Sequence, residues 1–422
     1  MQFRFLKHRL VVALFLAFAS LSFGQTLSFG QTPSASPVPT QSASPEKSKI
    51  FGSSLEKYEN TQRRNSRGKQ ETDGADDGEI IRVKTDLVVN DVLVTDQNRK
   101  MITDLKKDDF VVAENGVPQT IEVFSPGENA TVPRSIVLII DCGTVQAPYL
   151  KTSIQAAKVL VDKLGPQDKM AIVTVDVKLR VKFTQDKTLL KRALDSLERK
   201  NPRFGGGAEF NALLAVLNEL FAAEDRQRII IFQGDGSEII WLKADKDAPY
   251  PVPDITRESV LRWVAKEKQM QNFGFSDVKE AIERSRATIY SVATGIRFLG
   301  FSKKERMARG RISVENLGKA FGWRVDPMII GEFQERDAEV FTAGQTAMLR
   351  IAELSGGKIG FIEKPEDAET VYSAIFNLIN NRYVIGYYPT NHQQDGKRRE
   401  MKVEVRNHPE YIVTGRKAYF PQ

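Results

Sequence analysis

From Pro133 to Asn381 the chain repeats one pattern, a near-continuous apolar run followed by an amphipathic stretch. The apolar runs are SIVLIID, KMAIVTVDV, RIIIFQG, ATIYSVATG and KIGFIEK. The amphipathic stretches are YLKTSIQAAKVLVDKL, DKTLLKRALDSLERK, EFNALLAVLNELFAAE, DVKEAIERSR, AGQTAMLRIAELSGG and PEDAETVYSAIFNLINNR. A strand that is apolar at nearly every position needs cover on both faces, and helices crossing over a parallel sheet supply it. The pattern predicts an α/β fold with a doubly wound, mostly parallel sheet over residues 132–382. Gly356-Gly357 marks the end of one of its helices.

On either side the period changes to two. IRVKTDLVVNDVLVTDQNRK and DFVVAENGVPQTIEVFSPG alternate apolar with polar residues, with Asn115-Gly116 between two runs. This predicts a small antiparallel β-domain at 79–128. RYVIGYYPT, REMKVEVRN and YIVTGRKAYF predict a C-terminal β-extension at 383–422 that completes the α/β domain. Tyr383, Tyr387 and Tyr388 read as core packing more readily than as a ligand platform. Two insertions interrupt the α/β alternation: 237–274, carrying Trp241 and Trp263, and 297–342. The second holds Lys303, Lys304, Arg306, Arg309 and Arg311, but Glu305 and Glu315 interleave them, which favours a solvated helix face over an anion patch.

The first residues place Arg4, Lys7 and Arg9 before an apolar stretch, Leu10 to Ala19, with Ser22 and Gly24 suited to the −3 and −1 positions of a cleavage site. A signal peptide at 1–24 is expected, and with it a secreted or periplasmic protein. No transmembrane span is expected after cleavage, because no run reaches the roughly 20 residues a span needs. Residues 25–78 are rich in Ser, Pro, Gln and Thr and read as a disordered tether. The formal charge is +7, of which the leader carries three, so the balance is too slight to argue for nucleic acid. Cys142, the only cysteine, has no intramolecular partner and reads as a small buried residue. His8 belongs to the leader, and His392 and His408 lie in the C-terminal strands, which leaves no hydrolase triad and no zinc cluster. RFGGGAEF lacks the Lys-Ser/Thr that completes a phosphate loop. The chain is expected not to be an enzyme.

SIVLIID entering CGTV, RFGGGAEFNALLAVL, RIIIFQGDGSE and ELSGGKIGFIEKPEDAETVYSAIFNLINNRYVIGYYPT occur in an order that resembles the von Willebrand factor type A domain. With LVTDQNRKMITDLKKDDFVVAENGVPQTIEVF before them, the likeness is to its exported bacterial branch, the acidobacterial von Willebrand factor A-related proteins, over roughly residues 80–420. The resemblance implies ligand binding at the C-terminal strand ends through a metal-ion-dependent adhesion site. That site holds Mg²⁺ with an Asp-x-Ser-x-Ser, a Thr on a Gly-rich loop and the Asp of a Thr-Asp-Gly, an oxygen set that suits the ion. Carried over, Asp141 matches the first Asp, while Gly143 and Val145 replace both Ser. The Thr position falls on Gly207 or Ala208, and the last Asp on Asp235, or on Gln233 if the strand is two residues shorter. Thr144 and Glu209 offer oxygens, though not at the family's spacing. The resemblance therefore implies a degenerate site without a cofactor, with a rebuilt Mg²⁺ site as the alternative. The expected function is exported adhesion or scaffolding toward a protein or cell-surface ligand, using Asp141, Thr144, Glu209, Asp235 and Trp241. Trp241 and Trp263 are candidate anchors, since Trp is enriched at interface hot spots, although either could simply pack its insertion.

Overall fold

The computed structural model describes residues 51–58, 87–126, 132–143, 146–198, 208–221, 226–249, 271–320, 322, 327–364 and 366–421. The expected leader at 1–24, Thr144, Val145, Gly207 and Trp263 lie outside them. The chain first forms strands β1 (Val88–Thr95), β2 (Phe110–Glu114), β3 (Val117–Gln119) and β4 (Ile121–Ser125). The α/β region follows: β5 (Arg134–Ile140), α1 (Ala147–Lys163), β6 (Lys169–Thr174), β7 (Lys178–Thr184), α2 (Lys187–Glu198) and α3 (Glu209–Ala215). It continues through β8 (Gln227–Gly234), α4 (Phe275–Ser285), β9 (Thr288–Thr294), α5 (Lys303–Ala320), α6 (Pro327–Ser355), β10 (Ile359–Ile362) and α7 (Asp367–Asn380). Strands β11 (Tyr383–Tyr387), β12 (Arg399–Val405), β13 (Ile412–Thr414) and β14 (Ala418–Tyr419) close the chain.

The α/β region is built on a six-stranded sheet in the order β10-β9-β8-β5-β6-β7. Every neighbouring pair is parallel except β6–β7. Alternate residues of one apolar run serve opposite faces. Ile136, Leu138 and Ile140 pack with α1, α2 and α7, whereas Val137 and Ile139 pack with α3, α4 and α6. All five are fully buried, each worth roughly 1.5–3 kcal/mol of transfer free energy. The doubly wound sheet anticipated from the apolar runs is thus present. Edge strand β7 escapes that pattern because only Val181 of its KLRVKFT is buried.

The segment 297–342 is not a loop insertion. It supplies α5 and the first half of α6, a helix about twice as long as the periodic AGQTAMLRIAELS segment announces. The two helices cross closely at Gly310, where a Cβ would meet the Gln334 carbonyl oxygen at 2.2 Å. Three of the six basic residues of α5 have acidic partners among the described residues: Lys303 pairs with Glu335 at 3.6 Å, Arg311 with Glu315 at 3.0 Å, and Arg309 with Glu363. At a second close approach, Gly344 of α6 rests on Gly236, where a Cβ would lie 2.6 Å from backbone atoms. Gly236 has φ +73°, a conformation glycine adopts without strain. Among the described residues of 237–274, Ser237–Trp241 is a 3-10 helix.

The flanking strands depart from the sequence expectation. Residues 383–422 do not extend the α/β sheet; they interleave with the N-terminal strands to make one β-sandwich. One of its sheets has the order β13-β1-β11-β4 and the other β14-β12-β2-β3. β11 pairs antiparallel with both β1 and β4, and β12 with both β2 and β14. The α/β region is therefore inserted into a sandwich whose halves are distant in sequence. Period-two alternation shows that a strand has a buried face but not which strand lies beside it. The Asn115-Gly116 turn does join β2 to β3, both residues at positive φ as a tight hairpin requires. Tyr383 and Tyr387 are buried in the sandwich core, and Tyr388 is exposed.

Part of the expected tether is also ordered. Ser53–Tyr58 is a 3-10 helix that docks on the α/β domain, with Glu219 accepting hydrogen bonds from the Gly52 amide at 2.8 Å and the Ser54 amide at 2.9 Å. Tyr58 meets Phe273 with ring centroids 5.2 Å apart.

Within the sandwich, Glu114 of β2 receives hydrogen bonds from Arg399 of β12 (3.2 Å), Tyr387 of β11 (3.0 Å) and Tyr419 of β14 (2.7 Å). Glu114 and Arg399 are both buried, so removing only one leaves an uncompensated interior charge. Arg399→Met is expected to cost about 3–5 kcal/mol in denaturant unfolding, and adding Glu114→Leu to recover much of that loss. Additive losses would show that the two charges are not coupled.

Candidate functional site

β5 and β8 are neighbours, with Ile140 opposite Gln233. From β5 the chain crosses to β6 on one side, and from β8 it crosses to β9 on the other. Such a reversal opens a crevice beyond the carboxyl ends of the two strands. Asp141 directly follows β5, and Asp235 directly follows β8. Glu209, the first residue of α3, completes a group of three carboxylates whose nearest oxygens all lie within 4.8 Å of one another. All three are buried: Asp141 is 6%, Glu209 1% and Asp235 3% exposed.

Backbone amides and one side-chain amide fix the cluster. Gly143 N–H donates to Asp141 Oδ1 at 2.7 Å. Ser237 N–H donates to Asp235 Oδ1 at 2.8 Å, and Gln146 Nε2 to Asp235 Oδ2 at 2.9 Å. Thr294 orients the Gln146 amide by donating to its Oε1, and its hydroxyl also lies 3.1 Å from the Gly234 carbonyl oxygen. Glu209 Oε1 accepts from the amides of Asp235 at 3.0 Å and Gly236 at 3.3 Å. That placement depends on Gly234, where a Cβ would sit 1.9 Å from the same oxygen. Glu209 Oε2 is buried and accepts no hydrogen bond among the described residues.

The electrostatics follow from this crowding. Burial, reinforced by the Asp235 carboxylate, raises the Asp141 pKa to about 7 against the lowering effect of the Gly143 amide. Burial raises Glu209 well above the carboxylate range, aided by Asp235, Asp141 and Glu238. Among the described residues no Lys or Arg hydrogen-bonds or ion-pairs with any of the three carboxylates. A hard divalent cation suits three such oxygens, and the unpartnered Glu209 Oε2 is the atom that most lacks one.

Glu209, which falls outside the family's spacing, is therefore brought into the cluster, one position beyond Ala208. Gln233 is not: it remains inside β8, where its Oε1 accepts from Tyr372 OH at 2.5 Å. Gly143 lies against Asp141, and a Cβ there would come within 3.0 Å of Asp141 Oδ1. Trp241 is half-buried at the end of its 3-10 helix, in the wall of a neighbouring cavity of about 280 Å³. Cys142 is half-buried against the α1-side core. Sequence reasoning missed Gln146, Thr294 and Glu238, which accepts the Phe210 amide at 2.6 Å. Thr294 carried a signal, being the polar residue where the apolar-rich run ATIYSVATG ends; Gln146 and Glu238 carried none.

No family model and no curated protein matches the sequence. Among solved structures, the chain is similar to proximal thread matrix protein 1 of the mussel byssus, at 15% identity and TM-score 0.31, over 63% of this chain and 49% of that one. It spans about half the length of that structure. It is also similar to the von Willebrand factor domain of a type V pilus tip protein from Porphyromonas gingivalis, at 12% identity and TM-score 0.36, over 59% of this chain and 96% of that one. A von Willebrand factor type A structure from Catenulispora acidiphila matches at 12% identity and TM-score 0.32, over 80% of this chain and 75% of that one.

The raised Asp141 pKa gives the stability of the ion-free protein a definite pH dependence. Between the unfolded value of 3.8 and the folded value of about 7, the folded chain holds a proton that the unfolded chain releases. The stabilisation is thus complete below the lower value and is lost as pH rises toward the upper one. In chelator, the melting temperature is expected to fall from about pH 5 to about pH 8, with Asp141→Asn flattening the fall and melting higher at the alkaline end. A wild-type melting temperature that holds or rises over this window would contradict the assignment.

Proposed function

We propose that this chain is an exported, non-enzymatic binding protein of von Willebrand A type, an adhesion or scaffold module. It engages a protein or cell-surface ligand at the strand-end face around Asp141, Glu209 and Asp235. The carrying observation is the buried carboxylate cluster at the sheet's switch point, next to a cavity and, among the described residues, with no histidine beside it. His392 and His408, the described histidines, belong to the sandwich end of the chain. Membership of the von Willebrand A family rests on the order of sequence motifs and on the doubly wound sheet. Export rests on the leader-like residues 1–24, and no described helix is long and apolar enough to cross a membrane.

The second reading, a Mg²⁺-dependent module with a rebuilt site, draws on Glu209 Oε2. In it Asp141, Glu209 and Asp235 would hold the ion, and Glu209 would take over from the hydroxyls lost at Gly143 and Val145. The ion would supply positive charge against three crowded carboxylates. Gly234 would keep Glu209 in place, and Gln146 would keep Asp235 turned toward the cluster.

Calorimetric titration of the exported chain with Mg²⁺ or Mn²⁺ separates the readings. The metal reading expects saturable heat and a rise in melting temperature at millimolar ion, both absent in Asp141→Ala; no heat in the wild type retires it. For the binding face, capture from cell-envelope extract is expected to be lost in Asp235→Ala with its fold retained. Equal capture by the variant would move the binding surface elsewhere.

A further inference from the structure

We propose that the cavity beside the carboxylate cluster receives a basic side chain, lysine or arginine, from a protein partner. This deepens the binding-face reading and rests on it. The cavity lies between the start of α1, the Ser237–Trp241 helix, the exit of β9 and helices α5 and α6. Its volume of about 280 Å³ is enough for one long side chain.

Its lining has the chemistry of a cation site. Asp235 and Asp337 contribute carboxylates, Tyr149, Trp241, Phe298 and Phe341 contribute rings, and among the described residues no Lys, Arg or His lines it. Phe298 and Phe341 stack with centroids 5.8 Å apart. Aromatic faces attract an ammonium or guanidinium group through the ring quadrupole, and a carboxylate at the end of the same cavity fixes its position. Asp235 has capacity for this, since among the described residues each of its oxygens accepts one hydrogen bond and a carboxylate oxygen can take two. Among the described residues, two nearby arginines are engaged elsewhere: Arg309 with Glu363 and the Phe301 ring, Arg297 over the Phe361 ring.

Charge then decides what sign of partner the cavity accepts. A site with two carboxylates and neutral hydroxyls is balanced by a divalent ion and can still take an acidic partner. Here Glu209 adds a third carboxylate behind Asp235, so the fully ionised cluster stays negative by one charge even with a divalent ion bound. With or without metal, an incoming carboxylate is repelled and an incoming ammonium or guanidinium is attracted. The greasy methylenes of lysine or arginine would lie along the rings while the charged tip reaches Asp235.

The test uses the full chain as exported, with Nα-acetyl-lysine amide, Nα-acetyl-arginine amide, the neutral Nα-acetyl-norleucine amide and Nα-acetyl-glutamate amide as probes. Binding is read by tryptophan fluorescence and melting temperature, once in Mg²⁺ and once in chelator. The basic probes are expected to saturate at least tenfold more tightly than the norleucine probe, in both buffers. Asp337→Asn and Trp241→Ala should each weaken them about tenfold, and Trp241→Phe should restore most of the affinity. Preference for the glutamate probe in Mg²⁺ would overturn the proposal and indicate a metal-bridged acidic partner, leaving the binding face intact. Failure of every probe, with the wild-type melt unchanged, would also overturn it. The Asp235→Ala capture experiment judges the binding face separately.

Discussion

The site depends first on the backbone register of β5 against β8. Pairing Ile140 with Gln233 places the next residues of both strands, Asp141 and Asp235, side by side just beyond the sheet. A slip of one residue would turn every side chain of either strand to the opposite face. The fully buried isoleucines and valines on both faces penalise such a slip, so packing across the sheet holds the register and the register holds the carboxylates. Gly344 against Gly236 adds a second restraint, because α6 can seat on the loop after β8 only where neither residue carries a Cβ.

The cluster is a local excess of like charge that the fold tolerates rather than relieves. Amides of Gly143, Asp235, Gly236 and Ser237 and the Gln146 side chain offset part of the repulsion. A protein that needed only to cap these loops could do so with one carboxylate and a hydroxyl. Three buried acids, one of whose oxygens has no hydrogen-bond partner among the described residues, cost stability that such a cap would not.

Much of the architecture is legible in the sequence because the α/β region states its burial twice, in apolar strands and in amphipathic helices. The carboxylates at the strand exits were legible for the same reason: a polar residue ending an apolar run sits at the sheet's edge. Glu209 was harder, since the loop before it lacks periodicity and its carboxylate reaches the cluster only through the absence of a side chain at Gly234. The sandwich was legible as strands but not as a pairing, because alternation specifies a buried face and says nothing of partners hundreds of residues away. Ser53–Tyr58 was hidden in a polar segment, where three partly buried residues, Phe51, Leu55 and Tyr58, do the docking.

The inserted topology also sets an order of assembly. Arg382 donates to the Asp91 carbonyl across 291 positions of sequence, and the β11 strand that follows it lies between β1 and β4. Strands β1 to β4 therefore emerge first during synthesis or translocation and must wait for the last strands before either sheet is complete. The α/β region contains its own sheet and helices and can fold during that interval, bringing Ser125 and Val384 together as it closes. Until then the early strands expose unpaired edges, which makes the sandwich, rather than the α/β sheet, the vulnerable part of this molecule before the chain is complete.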